Sequence, residues 1–137
     1  MYGIVSMPSS EYNYCRFDME KLTPVICRGE KGLPEIKDNL EKATCEEEVV
    51  ENLYILDRML DNGVDEVASL YPTLSKFNQT NSPNIQTFLA GIYRKTKVPD
   101  AFGPLIAMLV RNSINPPQDA YFDPNEEIGG AILDYIA

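Results

Sequence analysis

The chain has no histidine, only three cysteines, and 12 basic residues against 21 acidic ones in a length of 137. The missing histidine removes the commonest general base, the usual partner of a catalytic serine or cysteine, and the commonest transition-metal ligand. Ser-His-Asp and Cys-His mechanisms are thereby excluded. Cys15, Cys27 and Cys45 are odd in number and widely spaced, so they form neither a disulfide framework nor a CxxC motif. They are expected as free, buried thiols. A zinc site built on them would need a carboxylate as fourth ligand in no recognised spacing, so no metal and no cofactor is expected.

Basic charge is equally scarce. With a formal charge of −9, phosphate-based binding of DNA or RNA would require the few cations to gather on one face. The only tight group is Arg94, Lys95 and Lys97, which reads as a solvated helix end placed favourably against the helix dipole. No direct nucleic-acid binding is expected. The longest apolar run, residues 105–110, is far shorter than the roughly 20 residues that cross a bilayer. The first ten residues lack the basic and apolar regions of a signal peptide. A cytoplasmic protein with no membrane association is the expectation, and in that setting the Asn78-Gln79-Thr80 glycosylation pattern has no meaning.

A composition of 44% hydrophobic and 24% charged residues suits a folded core. The length suits a single domain that buries roughly two thirds of its unfolded surface. Residues 1–33 differ from the rest, since Pro8, Ser9, Ser10, Gly29 and Gly32 separate short segments rich in tyrosine, valine and isoleucine. Three short strands, 2–7, 12–17 and 23–27, or an irregular arm are expected there.

From residue 34 the punctuation is helical. Pro34 opens a short helix. Thr44 as cap, Glu47 as its capping-box partner and Asn62-Gly63 as a stop define a helix over 45–62, with Val49, Leu53, Leu56 and Leu60 on its apolar face. Asp65 caps a short helix that Pro72 interrupts, and a loop follows through Thr80. Ser82-Pro83 opens a helix to about Lys95 carrying Ile85, Phe88, Leu89, Ile92 and Tyr93.

Residues 105–114 are apolar nearly all round, which predicts the most buried helix of the bundle, with Gly103 admitting a neighbour. Asn115-Pro116-Pro117 ends it. Asp123-Pro124 restarts a last helix with Ile128, Ile132, Tyr135 and Ile136 inward, and close helix packing is expected to offset the cost of Gly129 and Gly130. The fold class is therefore mainly α: a compact bundle of five or six short helices over 34–137, with a small β or extended N-terminal segment over 1–33.

Nine acids fall between Glu41 and Glu66 against only Lys42 and Arg58. An EF-hand is excluded, because aligning Gly63 with the loop glycine places Arg58 at the first calcium ligand. The Arg28-Gly29-Glu30-Lys31-Gly32 loop matches no phosphate-binding fingerprint. Tyrosine, with eight copies, combines a large apolar body with a polar tip suited to interfaces.

These features point to a non-catalytic, cytosolic protein–protein interaction module, an adaptor, inhibitor or accessory factor, a virus-encoded one included, that uses an acidic helix face and an adjacent apolar or tyrosine surface. The expected partner-binding residues are Glu46, Glu47, Glu48, Glu51, Asp57 and Asp61 on the acidic helix, together with Tyr2, Tyr12 and Tyr14. The partner is another protein, with a basic surface facing those acids. The apolar density of 105–114 and 124–136 makes a homodimer a secondary expectation. Two alternatives use the same acids: a nucleic-acid mimic that blocks a basic protein, and a small carboxylate- or metal-dependent enzyme.

Overall fold

A computed structural model describes residues 17–118 and 123–137. Within them the chain is mainly helical, with seven α-helices and no strand. The expected strands 2–7 and 12–17 fall wholly or almost wholly outside these residues, as do Tyr2, Tyr12 and Tyr14.

The third expected strand is corrected outright: residues 23–27 belong to α1, Met19–Cys27. Asp18 caps it by accepting from the Lys21 amide at 3.3 Å. Leu22 and Ile26, four residues apart, bury on one face, and that helical period outweighs the β-branched character of Thr23 and Val25. Pro24 sits on the exposed side, so the bond its ring removes is lost at a water-facing position. Cys27 and Cys45 are free but exposed, not buried as expected.

A 3₁₀ turn, Gly29–Gly32, leads into α2, Leu33–Lys42, which buries Leu33, Ile36 and Leu40. The next helix, α3, spans Glu46–Asp61 and carries the largest share of the core through Val49, Val50, Leu53, Ile55, Leu56 and Met59. Its ends show how local chemistry sets boundaries. Glu48, not Glu47, reaches back to accept from the Thr44 amide at 2.8 Å, while Cys45 occupies the cap position. At the other end the Gly63 amide donates to Leu60 and the Val64 amide to Met59, both at 3.0 Å, with Gly63 at φ 89°. This double closure needs a left-handed residue after the cap, which glycine adopts at no steric cost.

Pro72 does not interrupt the chain. A 3₁₀ stretch, Asp65–Leu70, runs directly into α4, Tyr71–Leu74, and a further 3₁₀ turn, Ser75–Phe77. Pro72 lies in the first turn of α4, where its missing amide has no helical partner to lose.

Ser82 caps α5, Pro83–Thr96, by accepting from the Ile85 amide at 3.2 Å, and Lys97 ends it in the left-handed conformation. After a 3₁₀ turn, Pro99–Ala101, comes α6, Phe102–Ile114, and finally α7, Pro124–Ile136. Asp123 caps α7 by accepting from the Asn125 amide at 3.0 Å.

The packing places α5 between α3 and α7. Helices α1 and α2 cover the far side of α3, and α6 lies against α7. Phe102 contacts Tyr135 at one end of the α6–α7 pair, with ring centroids 5.5 Å apart. Asn112 donates to Asn125 at the other, at 2.9 Å. The two helices are therefore an antiparallel hairpin at the edge of the bundle.

Candidate functional site

That edge position overturns the expectation for 105–114. Only Leu105, Met108 and Asn112 of α6 are buried. Ile106, Val110 and Ile114 are 40%, 52% and 71% exposed, and on α7 Leu133 and Ile136 are 64% and 67% exposed, so Ile136 is also corrected from core to surface. Ile106, Val110 and Ile114 repeat every four residues and share one stripe. Leu133 and Ile136, three apart, form the matching stripe on α7, where Gly129 also faces open space. The hairpin thus has one apolar side against the bundle and a second one outward.

The expected acidic site behaves differently. Glu46 accepts hydrogen bonds from Ser82 and Asn84, which tie the start of α3 to the start of α5. Glu48 is spent on Thr44, and Glu51 pairs with Lys21 at 3.1 Å. Lys95 of α5 bridges Asp57 at 2.8 Å and Asp61 at 2.7 Å, and Arg58 reaches Asp61 at 3.1 Å. Glu47 is exposed, with no ion pair among the described residues. Most of the acids singled out on α3 therefore hold the bundle together.

Arg94 and Lys95 serve the same purpose, which corrects their reading as a solvated helix end, whereas Lys97 is exposed as expected, with no ion pair among the described residues. Burial opposes the charge on Lys95, but hydrogen bonds to Asp57 and Asp61 outweigh it and hold the ammonium above its ordinary range. A hydrogen bond to Asp134 does the same for Arg94 against a smaller burial cost, with Glu127 adding to it. Arg94 Nε lies 2.5 Å from Asp134 and Nη1 3.4 Å from Glu127. Gly130 makes room for this guanidinium: a Cβ there would come within 2.7 Å of Arg94 Nη1. The close approach expected of this glycine pair is thus to an arginine head at Gly130, while Gly129 and Gly103 meet nothing within 4 Å.

Among the described residues one groove borders α5 and another lies beside the start of α6. The first, of about 310 Å³, lies where Asp57, Phe88, Lys95 and Glu127 converge over Gly91, and its charged walls are the ion pairs just described. Phe17 stacks on Tyr54 beside it, with centroids 4.2 Å apart. The other, of about 510 Å³, separates residues 75–79 from the start of α6 and is lined by Ser75, Lys76, Gln79, Gly103, Ala107 and Arg111.

The wall of this second groove is set by a chain of phenols. Tyr93 donates to Asn78 Oδ1 at 2.6 Å, the Asn78 amide donates to Tyr71 at 3.3 Å, and Tyr71 donates to the Asp100 carbonyl at 3.0 Å. Burial, with Tyr71 and Tyr135 nearby, pushes the Tyr93 phenol strongly upward, so it stays a neutral donor. Pinned in this way, the segment aims the carbonyls of Asn78 and Thr80 at Arg111 Nη2, at 2.9 and 3.5 Å. Arg111 Nε is shielded from solvent and has no hydrogen-bond partner among the described residues.

Sequence reasoning passed over Arg111. The signal was present, as a single cation inside the otherwise uncharged 102–114 segment. The apolar density of 105–114 and 124–136 already motivated a homodimer, but which residues face outward was not legible, because an all-apolar helix reads as buried until its neighbours are counted.

The fold and surfaces define a helical bundle with an acid-braced centre and an apolar edge hairpin. No protein-family model, no curated protein and no solved structure matches the chain. Among the described residues no helix is long and apolar enough to cross a membrane.

Proposed function

We propose that this chain is a non-catalytic protein–protein interaction module whose contact surface is the outer face of the α6–α7 hairpin, and that the occupant of that face is a second copy of the chain. The observation that carries this reading is the exposure of Ile106, Val110, Ile114, Leu133 and Ile136 on adjoining stripes. Side chains of this size at these exposures amount to roughly 500 Å² of apolar surface, within the ~300–600 Å² of a monomer's largest patch, which is often functional, and over half of the ~800 Å² that each partner gives to a standard interface.

Charge supports the choice of occupant. A chain of formal charge −9 repels its own copies, so self-association favours a face poor in acids. The outward stripe of α6 has no charged side chain, Asp134 beside the α7 stripe is held by Arg94, and the exposed acid in line with Leu133, Glu126, sits at the N-terminal end of α7, so the face is poor in acids along most of its length. The acids of α3, by contrast, are largely engaged within the fold, which argues against their serving as a phosphate mimic or as a catalytic carboxylate set.

Sedimentation equilibrium over about 1–300 µM tests the reading. A dimer is expected that weakens little as salt rises, because an apolar contact is not screened. Ile114→Glu combined with Leu133→Glu should return it to monomer with an unchanged helical spectrum. A wild-type chain that stays monomeric at the top of that range overturns self-pairing.

A further inference from the structure

We infer that the groove between residues 75–79 and the start of α6 binds a small oxyanion, a carboxylate or phosphate compound, with Arg111 as its principal ligand. The inference is independent of the apolar face and rests on an anomaly in the pairing of charge. Acids outnumber bases 21 to 12 in this chain, and three of the four described arginines take a carboxylate: Arg28 pairs with Glu35, Arg58 with Asp61, and Arg94 with Glu127 and Asp134. Arg111 does not. Among the described residues its bonds run only from Nη2 to the carbonyls of Asn78 and Thr80. Its Nε donor is shielded and unpartnered.

A half-buried guanidinium with no carboxylate among the described residues is a receptor for one from outside through Nη1, the nitrogen that neither bonds a carbonyl nor is shielded, since an arginine–oxyanion hydrogen bond is charge-assisted. The surroundings fit that chemistry. Lys76 stands on the same groove, only 3.8 Å from Glu41 at the limit of ion pairing, and supplies a second positive charge. Gln79 adds an exposed amide. The opposite wall is made low by Gly103 and Ala107, and a side-chain carbon at Gly103 would meet nothing within 4 Å. At about 510 Å³ the groove exceeds what a bare ion fills and lies in the range of small-molecule sites, so the ligand class is a small organic acid or phosphate ester with its anionic end at Arg111.

Nitrogen-15 spectra of the arginine Nε–H groups report on this directly. The full chain is titrated with sodium phosphate and, separately, with sodium succinate, each at constant ionic strength against chloride. A saturable shift of the Arg111 signal is expected with at least one of them, with the Arg94 signal unmoved. Arg111→Gln should weaken saturation at least tenfold as followed by the Gly103 amide. Lys76→Gln should weaken it severalfold, and Gly103→Leu should block it by filling the groove. The two variants away from Arg111 carry the test if Arg111→Gln does not fold. Saturation by phosphate alone assigns a phosphate ligand, and by succinate alone a carboxylate. Shifts that rise linearly with both salts, or saturation unchanged in Lys76→Gln and Gly103→Leu, overturn the inference.

Discussion

Helices α3 and α6 are both rich in apolar residues, yet α3 buries seven side chains and α6 three. The difference is one of neighbours. Helix α3 is enclosed by α1, α2 and α5, whereas α6 has only α7 alongside it among the other α-helices that make more than slight contact. Apolar content measures what a helix is able to bury, and its place in the bundle decides what it does bury. The charged residues divide the same way: on α3 they close onto α1 and α5, while the single cation of α6 has no acid partner among the described residues.

The largest expected break in this comparison comes from matched truncations. Leu53→Ala and Leu56→Ala remove fully buried side chains and should each lower unfolding free energy by about 2–5 kcal/mol. Val110→Ala and Ile114→Ala in the isolated chain at low concentration should stay within about 0.5 kcal/mol. Urea titrations of the four variants decide it, and equal losses in the two helices would show that the outer face of α6 is covered.

Alkaline stability probes the phenols that brace α5 against the edge. Burial, with Tyr71 adding to it, pushes Tyr135 up to about 12, and burial raises Tyr93 further. In the unfolded chain tyrosine ionises near ~10, so the unfolded state releases protons first as pH rises. Stability from these groups is complete below pH ~10 and is lost as pH climbs from there through the folded values. Urea midpoints at pH 8, 10 and 11.5 should fall over the last interval, and Tyr135→Phe should reduce the drop.

A smaller effect separates the two glycines of α7. Gly129→Ala adds a methyl into open space and should stabilise by about 0.5–1 kcal/mol, the ordinary helix-interior gain. Gly130→Ala meets the Arg94 guanidinium at 2.7 Å and should lose that gain to a displaced ion pair. Thermal melts showing equal gains at both positions would mean that Arg94 does not depend on the space Gly130 leaves.

Much of the helical framework is legible in the chain because caps and stops act within a few residues. Ser82 and Asp123 as caps, Gly63 as a left-handed stop and the Val49–Leu53–Leu56 stripe all depend on contacts no more than a turn away. The reading failed where longer range enters. In α1 the burial of Leu22 and Ile26 against α3 converted an expected strand into a helix, and Pro72 was absorbed because a second helical turn begins at Tyr71. The pairing of the α3 acids within the fold was not legible either, because their partners, Lys21, Ser82 and Lys95, lie 30 or more residues away in the chain.

The amino-acid sequence by itself determined a helical chain with no histidine chemistry, a marked excess of acid and well-signalled helix ends, since composition and local hydrogen bonding need no knowledge of the fold. Only the tertiary structure decided which apolar stripe remains outward, which acids are neutralised and which arginine has no acid partner among the described residues. Those properties belong to pairs of residues distant along the chain, and only packing brings such pairs within contact range.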